Sequence, residues 1–153
     1  MGEYAKALDY HKKALAIREK IFGAEHSNTI MIRDIIKHIN RQMILSDNEK
    51  MQEYIFIAKT IEGDTPAKQH GMSGEYIMLG FADWNIKSTE SLFDKNKEMR
   101  NHPKTIVVMK GEDISKYDFG DKLGVQFDLK QVGKEEKNRI IKKYESWKKE
   151  QKH

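Results

Sequence analysis

One stretch, Thr60–Trp84 (TIEGDTPAKQHGMSGEYIMLGFADW), constrains this chain more than any other. It joins a strand end, a reversal, one helical turn, a second reversal and a continuous apolar strand in a single short segment. Gly63-Asp64 makes the first turn. Pro66 then opens a helical turn: its φ is preset, and the N–H it lacks is one that a first helical residue would leave unsatisfied. Gly71 and Gly74 can take the positive φ that a tight reversal needs. Tyr76–Phe81 follows as an uninterrupted apolar run.

The flanks extend the pattern. Tyr54–Ile61 (YIFIAKTI) is β-branched and aromatic and reads as a strand. Residues 85–101 contain a helix with Ser88 as its N-cap and Leu92, Phe93 and Met99 as its apolar side, stopped by Pro103. Thr105–Lys110 and Ile114–Phe119 read as a hairpin across Gly111-Glu112-Asp113, and Leu123–Val132 as a further strand.

With Gly63-Asp64-Thr65-Pro66-Ala67 followed by Gly71-Met72 and Gly74-Glu75-Tyr76-Ile77, this order of elements resembles a PDZ domain of the bacterial kind. The resemblance covers about half the chain. It implies binding of an extended peptide as an added strand on a sheet edge beside a helix. Carried over, the groove lies between Tyr54–Ile61 and the helix near Thr89–Arg100. The backbone of Ile55, Phe56 and Ile57 supplies the ladder bonds, and Thr89, Phe93 and Asn96 (or Leu92, one residue out of register) face the peptide. The family caps its peptide's carboxylate with a short G-Φ-G-Φ loop just before the binding strand. That position here holds NEKMQEY, with no glycine and two glutamates. An internal segment, or no peptide, therefore stands beside a chain end as an alternative. The similar string Leu123-Gly124-Val125-Gln126-Phe127 is read as a closing strand holding one glycine, with a displaced loop as the alternative.

The N-terminal part has a different period. In Gly2–Thr29, Tyr4, Ala7, Leu8, Ala14, Leu15, Ile17 and Ile21 recur at helical spacing as one apolar face, and Gly23 ends the helix. The order G-x-Y-x-x-A-L-x-Y-x-x-x-A-L-x-I-x-E-x-x-F-G-x-x-H resembles the second helix of a tetratricopeptide repeat of the kinesin light chain type. Asn28–Gln42 fits the first helix of the next repeat, with Ile32, Ile35, Ile36 and Ile39 inward, until the polar SDNEK breaks the pattern. Such repeats bury their faces against neighbours, and about three are needed for stability. The resemblance thus implies the end of a longer array, with Met1 inside its last repeat and the parent protein's other repeats as partners.

Charge narrows the function classes. The formal net charge is +4, and Lys134–His153 holds eight Lys or Arg against four acidic residues, so the excess lies wholly in that tail. The rest of the chain offers no basic field to track phosphates, and nucleic acid is not an expected partner. Lys134–Lys152 reads as an amphipathic basic helix whose Ile140, Ile141, Tyr144 and Trp147 pack back onto the helical hairpin or the sheet. No apolar run approaches the ~20 residues that span a bilayer. The chain has no cysteine, which excludes a disulfide framework and a thiolate metal site. Its histidines, at 11, 26, 38, 70, 102 and 153, lack H-x-x-x-H or H-E-x-x-H spacing. Ser73, in GMSGE, lacks the spacing of a nucleophile elbow. No catalytic residue, metal or cofactor is expected, and Trp84 is expected to cap the core.

The expected fold is α+β: a tetratricopeptide-type helical hairpin (residues 1–45), a PDZ-like small β-barrel or sandwich with two helices (46–133), and a C-terminal helix (134–153). The expected function is a non-catalytic protein-interaction module, repeat scaffold plus peptide-binding domain, from a larger bacterial multidomain protein. The alternatives are a structural cap on the repeat array, or a regulatory fragment of a protease or signalling enzyme.

Overall fold

A computed structural model describes residues 2–152. The elements are α1 (Gly2–Phe22), α2 (Ser27–Leu45), α3 (Asn48–Met51), β1 (Tyr54–Thr60), α4 (Pro66–Gln69), β2 (Glu75–Phe81), β3 (Trp84–Asn85), α5 (Leu92–Glu98), β4 (Lys104–Lys110), β5 (Asp113–Phe119), β6 (Val125–Gln131) and α6 (Lys134–Gln151). They divide into two compact units, Met1–Met51 and Gln52–His153. No helix among the described residues is long and apolar enough to cross a membrane.

The first unit is a helical pair. α1 ends at Gly23, whose φ of 85° sets its N–H on the Glu19 carbonyl at 3.0 Å. His26 starts α2: its Nδ1 accepts the Asn28 N–H at 3.1 Å, and its ring stacks on Phe22. The Arg33 guanidinium ties α2 back to the end of α1, donating to the Ala24 carbonyl (2.9 Å) and the Glu19 carboxylate (3.0 Å). Ile32 and Ile39 are buried and Ile35 and Ile36 half-buried, as their spacing suggests. On α1, Ala7, Leu8, Ala14 and Leu15 are half-buried, but Tyr4, Ile17 and Ile21 are exposed. Two helices cover only one stripe of each other, and repeat helices bury their other faces in a stack. The expected polar connector contains one further helical turn, α3, because the Asp47 carboxylate accepts the Glu49 and Lys50 N–H groups.

The second unit is built on one antiparallel six-stranded sheet, ordered β5-β4-β2-β1-β6, with β3 paired to β2. The small barrel or sandwich expected from sequence takes the form of this single sheet, whose path is open. Alternate side chains point to opposite faces. On one face Ile55, Ile57, Leu79, Val107 and Met109 form a cluster with Ile86 and with Ile140 and Tyr144 of α6, and Ile141 and Trp147 pack against it. The apolar stripe of the tail helix thus meets the sheet. A bulge between Met78 and Gly80 puts Gly80 on this face beside Leu79 and returns Phe81 to the other. A side chain at position 80 would meet the Tyr144 hydroxyl at 3.3 Å and Val107 at 3.5 Å, so glycine lets the helix lie close. The opposite face carries Phe56, Ala58, Met78, Phe81, Ile106, Val108 and Phe127, all buried, with Ala67 of α4 and Leu92 of α5.

The connection β1–α4–β2 follows its turn chemistry. The Thr65 hydroxyl caps α4 by accepting the Lys68 N–H, Pro66 sits in the first turn, and Gly71 and Gly74 adopt φ of 91° and 85°. The helix after β2 starts later than expected. Its N-cap is Ser91, which accepts the Phe93 N–H at 3.2 Å. Ser88 instead accepts the Asn85 N–H at 3.0 Å, because the chain first turns back as β3.

Candidate functional site

The sequence places the added strand beside β1. The structure corrects this. β1 lies inside the sheet, paired with β6 over Tyr54–Thr60 and with β2 over Ile57–Lys59. Ile55 and Ile57 point into the cluster under α6. Phe56 points to the other face, edge-on to Trp84 (5.5 Å between ring centroids) and to Phe93 (5.4 Å). Of the helix residues, Phe93 and Asn96 are half-buried on α5, and Leu92 is in the core. Thr89 is exposed and precedes the helix. The structure therefore brings Phe56 and Phe93 together, with Asn96 three residues on from Phe93 in α5, and leaves Ile55, Ile57 and Thr89 elsewhere.

The open edge on this side of the sheet is β6. Among the described residues no strand pairs with its outer side. The Ile61 N–H donates to the Gly124 carbonyl and the Val132 N–H to the Glu53 carbonyl. In an antiparallel ladder the bonded pairs alternate. The main-chain groups of Gln126, Asp128 and Lys130 therefore face β1, and those of Val125, Phe127, Leu129 and Gln131 face outward. One outward donor has a local partner, the Leu129 N–H on the Asp128 carboxylate at 2.8 Å.

Side chains beside this edge are apolar. Leu129 stands directly opposite Phe56 in the register and Phe127 opposite Ala58, so they share the face that carries α5. Phe127 is buried, edge-on to Phe81 at 5.8 Å. Val125 and Leu129 are half-buried, as is Phe93. Phe93 and Leu129 both neighbour Phe56, so apolar side chains of α5 and β6 meet the same ring on this face.

The start of β6 needs its glycine. Gly124 has φ 75°, and a Cβ there would fall 2.4 Å from the Thr65 Cβ. Leu123 is buried, and its carbonyl accepts the Ala67 N–H at 2.8 Å, which docks this turn on α4. Lys104, buried at the start of β4, donates to the Arg100 carbonyl just beyond α5 and to the Asp121 carbonyl. That ammonium draws the end of α5 and the turn before β6 together. Desolvation holds the Lys104 ammonium below the usual lysine range.

At its other end α5 is tied to the β2–β3 turn. Lys95, 5% exposed, donates to Asp83 at 2.6 Å and to Glu98 at 3.1 Å, with Glu90 at 3.9 Å. Its hydrogen bond to Asp83, foremost, pushes its pKa up to about 12. The same bond holds the Asp83 carboxyl below its ordinary value. The turn is tight: Ala82 adopts φ 54°, unusual without glycine. Trp84 is 3% exposed and its Nε1 donates to the Glu90 carbonyl at 2.8 Å, so it is a core residue that also fixes the loop into α5.

On the α6 side of the sheet a shallow pocket of about 280 Å³ is lined by Asn85, Lys87, Ser88, Tyr144, Glu145 and Lys148. It is polar, and Lys87 is already paired with Glu145 at 3.1 Å.

The outward-facing backbone of β6 was not foreseen from the sequence. Its signal was present in Leu123-Gly124-Val125-Gln126-Phe127, where the glycine marks a turn before a strand. The strand's edge position came from pairing with β1, which no local pattern announces.

Compared with known families, residues 1–28 match the model of the tetratricopeptide repeat, covering α1 and the start of α2. No match to the chain was found among curated proteins. Repeats of this kind are typically protein-interaction modules. The N-terminal segment 1–28 is thus similar to a tetratricopeptide repeat, and an α+β unit on a six-stranded antiparallel sheet follows in the chain.

Proposed function

We propose that the second unit is a PDZ-like module that takes an extended protein segment as an added strand along β6, with α5 as the opposite wall. The repeat unit, read as the end of a kinesin-light-chain-type array, serves as scaffold. On this reading the module spans residues 46–133, with the helix 134–153 covering its far face. One observation carries the proposal: β6 is a sheet edge with no strand on its outer side among the described residues, and it carries the half-buried apolar side chains Val125 and Leu129. Main-chain groups of Val125, Phe127, Leu129 and Gln131 supply ladder bonds, which give affinity. Val125, Leu129 and Phe93 select apolar residues at alternate ligand positions. Asn96, three residues on from Phe93 in α5, offers the wall a polar contact.

An added strand antiparallel to β6 has its C-terminal end beside Gly124. The Lys104 ammonium holds the turn before that end through the Asp121 carbonyl, and its charge suits a terminal carboxylate. Under this reading Leu123–Phe127 is the displaced loop of the family, and Glu53, beside Val132 at the other end of β6, lies away from the ligand's C-terminal end.

The test is selection from a phage-displayed library of random heptapeptides with free C-termini, using the full chain as bait. Selected sequences should alternate apolar and variable residues, and amidation of their carboxylate should weaken binding about tenfold. Binding indifferent to amidation would leave an internal segment as the ligand class. No selected peptide with measurable affinity would overturn the proposal.

A further inference from the structure

The charged side chains buried among the described residues are Lys95 and Lys104, and each acts on α5. Lys95 belongs to the helix and reaches Asp83 in the β2–β3 turn, with Glu90 and Glu98 beside it. Lys104 belongs to β4 and holds the carbonyl of Arg100, just past the helix, together with that of Asp121, just before β6. One ammonium therefore clamps the helix to the sheet's turn, and the other clamps its far end to the start of the open edge.

α5 needs such clamps. It spans Leu92–Glu98, seven residues, well below the ~12–15 at which a helix becomes even marginally stable by itself. Its apolar attachment is small: Leu92 is fully buried, while Phe93 and Met99 are half-buried. An apolar side chain of similar length is often an equal or better occupant of a buried position than a charged one. What the two ammonium groups add is direction, because each bonds to oxygens at a defined place on a different segment.

We propose that Lys95 and Lys104 are positioning residues that set where α5 stands against the sheet, and with it the width of the groove between α5 and β6. The groove's role in binding rests on the function proposed above; the clamp itself does not, and it is measured without ligand.

The experiment is amide hydrogen exchange by NMR on the full chain, comparing Lys95→Met, Lys104→Met and the double variant with the parent. The reporters are the α5 amides of residues 95 and 99, which bond to the carbonyls of Ser91 and residue 95. The references are Leu79 and Val108 in the sheet. Each single variant should speed exchange in α5 at least tenfold relative to the sheet references, with the global unfolding midpoint unchanged or raised. Asp83→Asn should reproduce the Lys95→Met effect, and combining the two should add little. Lys95→Arg should restore protection. Unchanged α5 exchange would overturn the proposal, as would α5 and the sheet losing protection together. If the clamp behaves as stated while no peptide is selected, only the proposed function fails.

Discussion

β5 and β6 end the same sheet and expose a comparable row of main-chain groups, yet their surroundings differ. β5 carries Lys116 and Asp118 as exposed side chains, and Thr105 donates to the Asp118 carboxylate at 2.6 Å. Its apolar side is taken: the His70 ring lies 4.5 Å from Phe119 and 6.3 Å from Tyr117. Charges along an edge discourage another strand from pairing there. β6 keeps Val125 and Leu129 half-exposed on the face it shares with Phe93. An open ladder is thus common to both edges, and what separates them is whether the adjoining apolar surface is already covered.

The turns that lead into the two edges differ most in energy. Gly111, before β5, has φ 62° with nothing within 4 Å of where a methyl group would sit, whereas a Cβ on Gly124 would overlap Thr65. Gly111→Ala should cost about 1 kcal/mol, from backbone strain alone. Gly124→Ala adds a steric overlap and should cost about 3 kcal/mol or more. Urea unfolding of both variants measures the gap, and equal costs would mean that the turn before β6 is not held against α4.

Proline distinguishes the edges in binding. The N–H of Val125 faces outward from β6. In β5 the two-residue turn makes Lys110 and Asp113 a bonded pair, so alternation points the Lys116 N–H outward. Proline is tolerated where a strand N–H faces solvent. Val125→Pro should weaken a selected peptide about tenfold, through loss of a ladder bond and the clash of the ring with the incoming strand. Lys116→Pro should leave affinity unchanged. Isothermal titration gives both numbers, with thermal melts to confirm folding.

Acid should act on both sides of the sheet. Asp83 is depressed by its bond from Lys95, and Glu112, in the turn before β5, by its bond from Lys143 and the nearby Arg139. A carboxyl whose folded pKa lies below its unfolded one contributes stability above the unfolded value and loses it as pH falls through the folded one. The Asp83 contribution is therefore constant from neutral pH down to the ordinary 3.8 and is lost below it. At the alkaline end the raised Lys95 contributes fully below 10.5 and is lost as pH climbs through about 12. Side-chain carboxyl NMR should give an Asp83 midpoint below 3.8, and Lys95→Met should return it to the ordinary range.

The smallest effect concerns Asp128. Its carboxylate holds the Leu129 N–H, one of the donors an added strand would use. Asp128→Ala should release that donor and strengthen peptide binding about threefold, within the ~0.5–1.5 kcal/mol of a single hydrogen bond. No change would place the ladder bonds elsewhere on β6.

Much of this arrangement is legible in the residues. Thr65, Pro66, Gly71 and Gly74 announce their turns because the chemistry is local. Ile140, Ile141, Tyr144 and Trp147 announce a buried stripe by helical spacing, and they meet the sheet. The tetratricopeptide signal of α1 is equally local, and the family match supports it. Sheet order is different. Tyr54–Thr60 has the composition of a good strand whether it is central or an edge, and its place is decided by pairing with β6, far along the chain. Ile55 and Ile57 lie away from the site for that reason, while Phe56 and Phe93 meet. The cap of α5 falls at Ser91 rather than Ser88 because Trp84-Asn85 turns back as β3, a hairpin whose Ala82 gives no glycine signal.

The most direct test of β6 as the binding edge is amide chemical-shift mapping of a selected peptide titrated into the ¹⁵N-labelled full chain. The largest shifts are expected at Val125, Phe127, Leu129 and Gln131, with smaller ones at Phe93 and Asn96 and none along Ile114–Asp118. Shifts centred on β5, or on Tyr54–Ile57 with β6 silent, would contradict it.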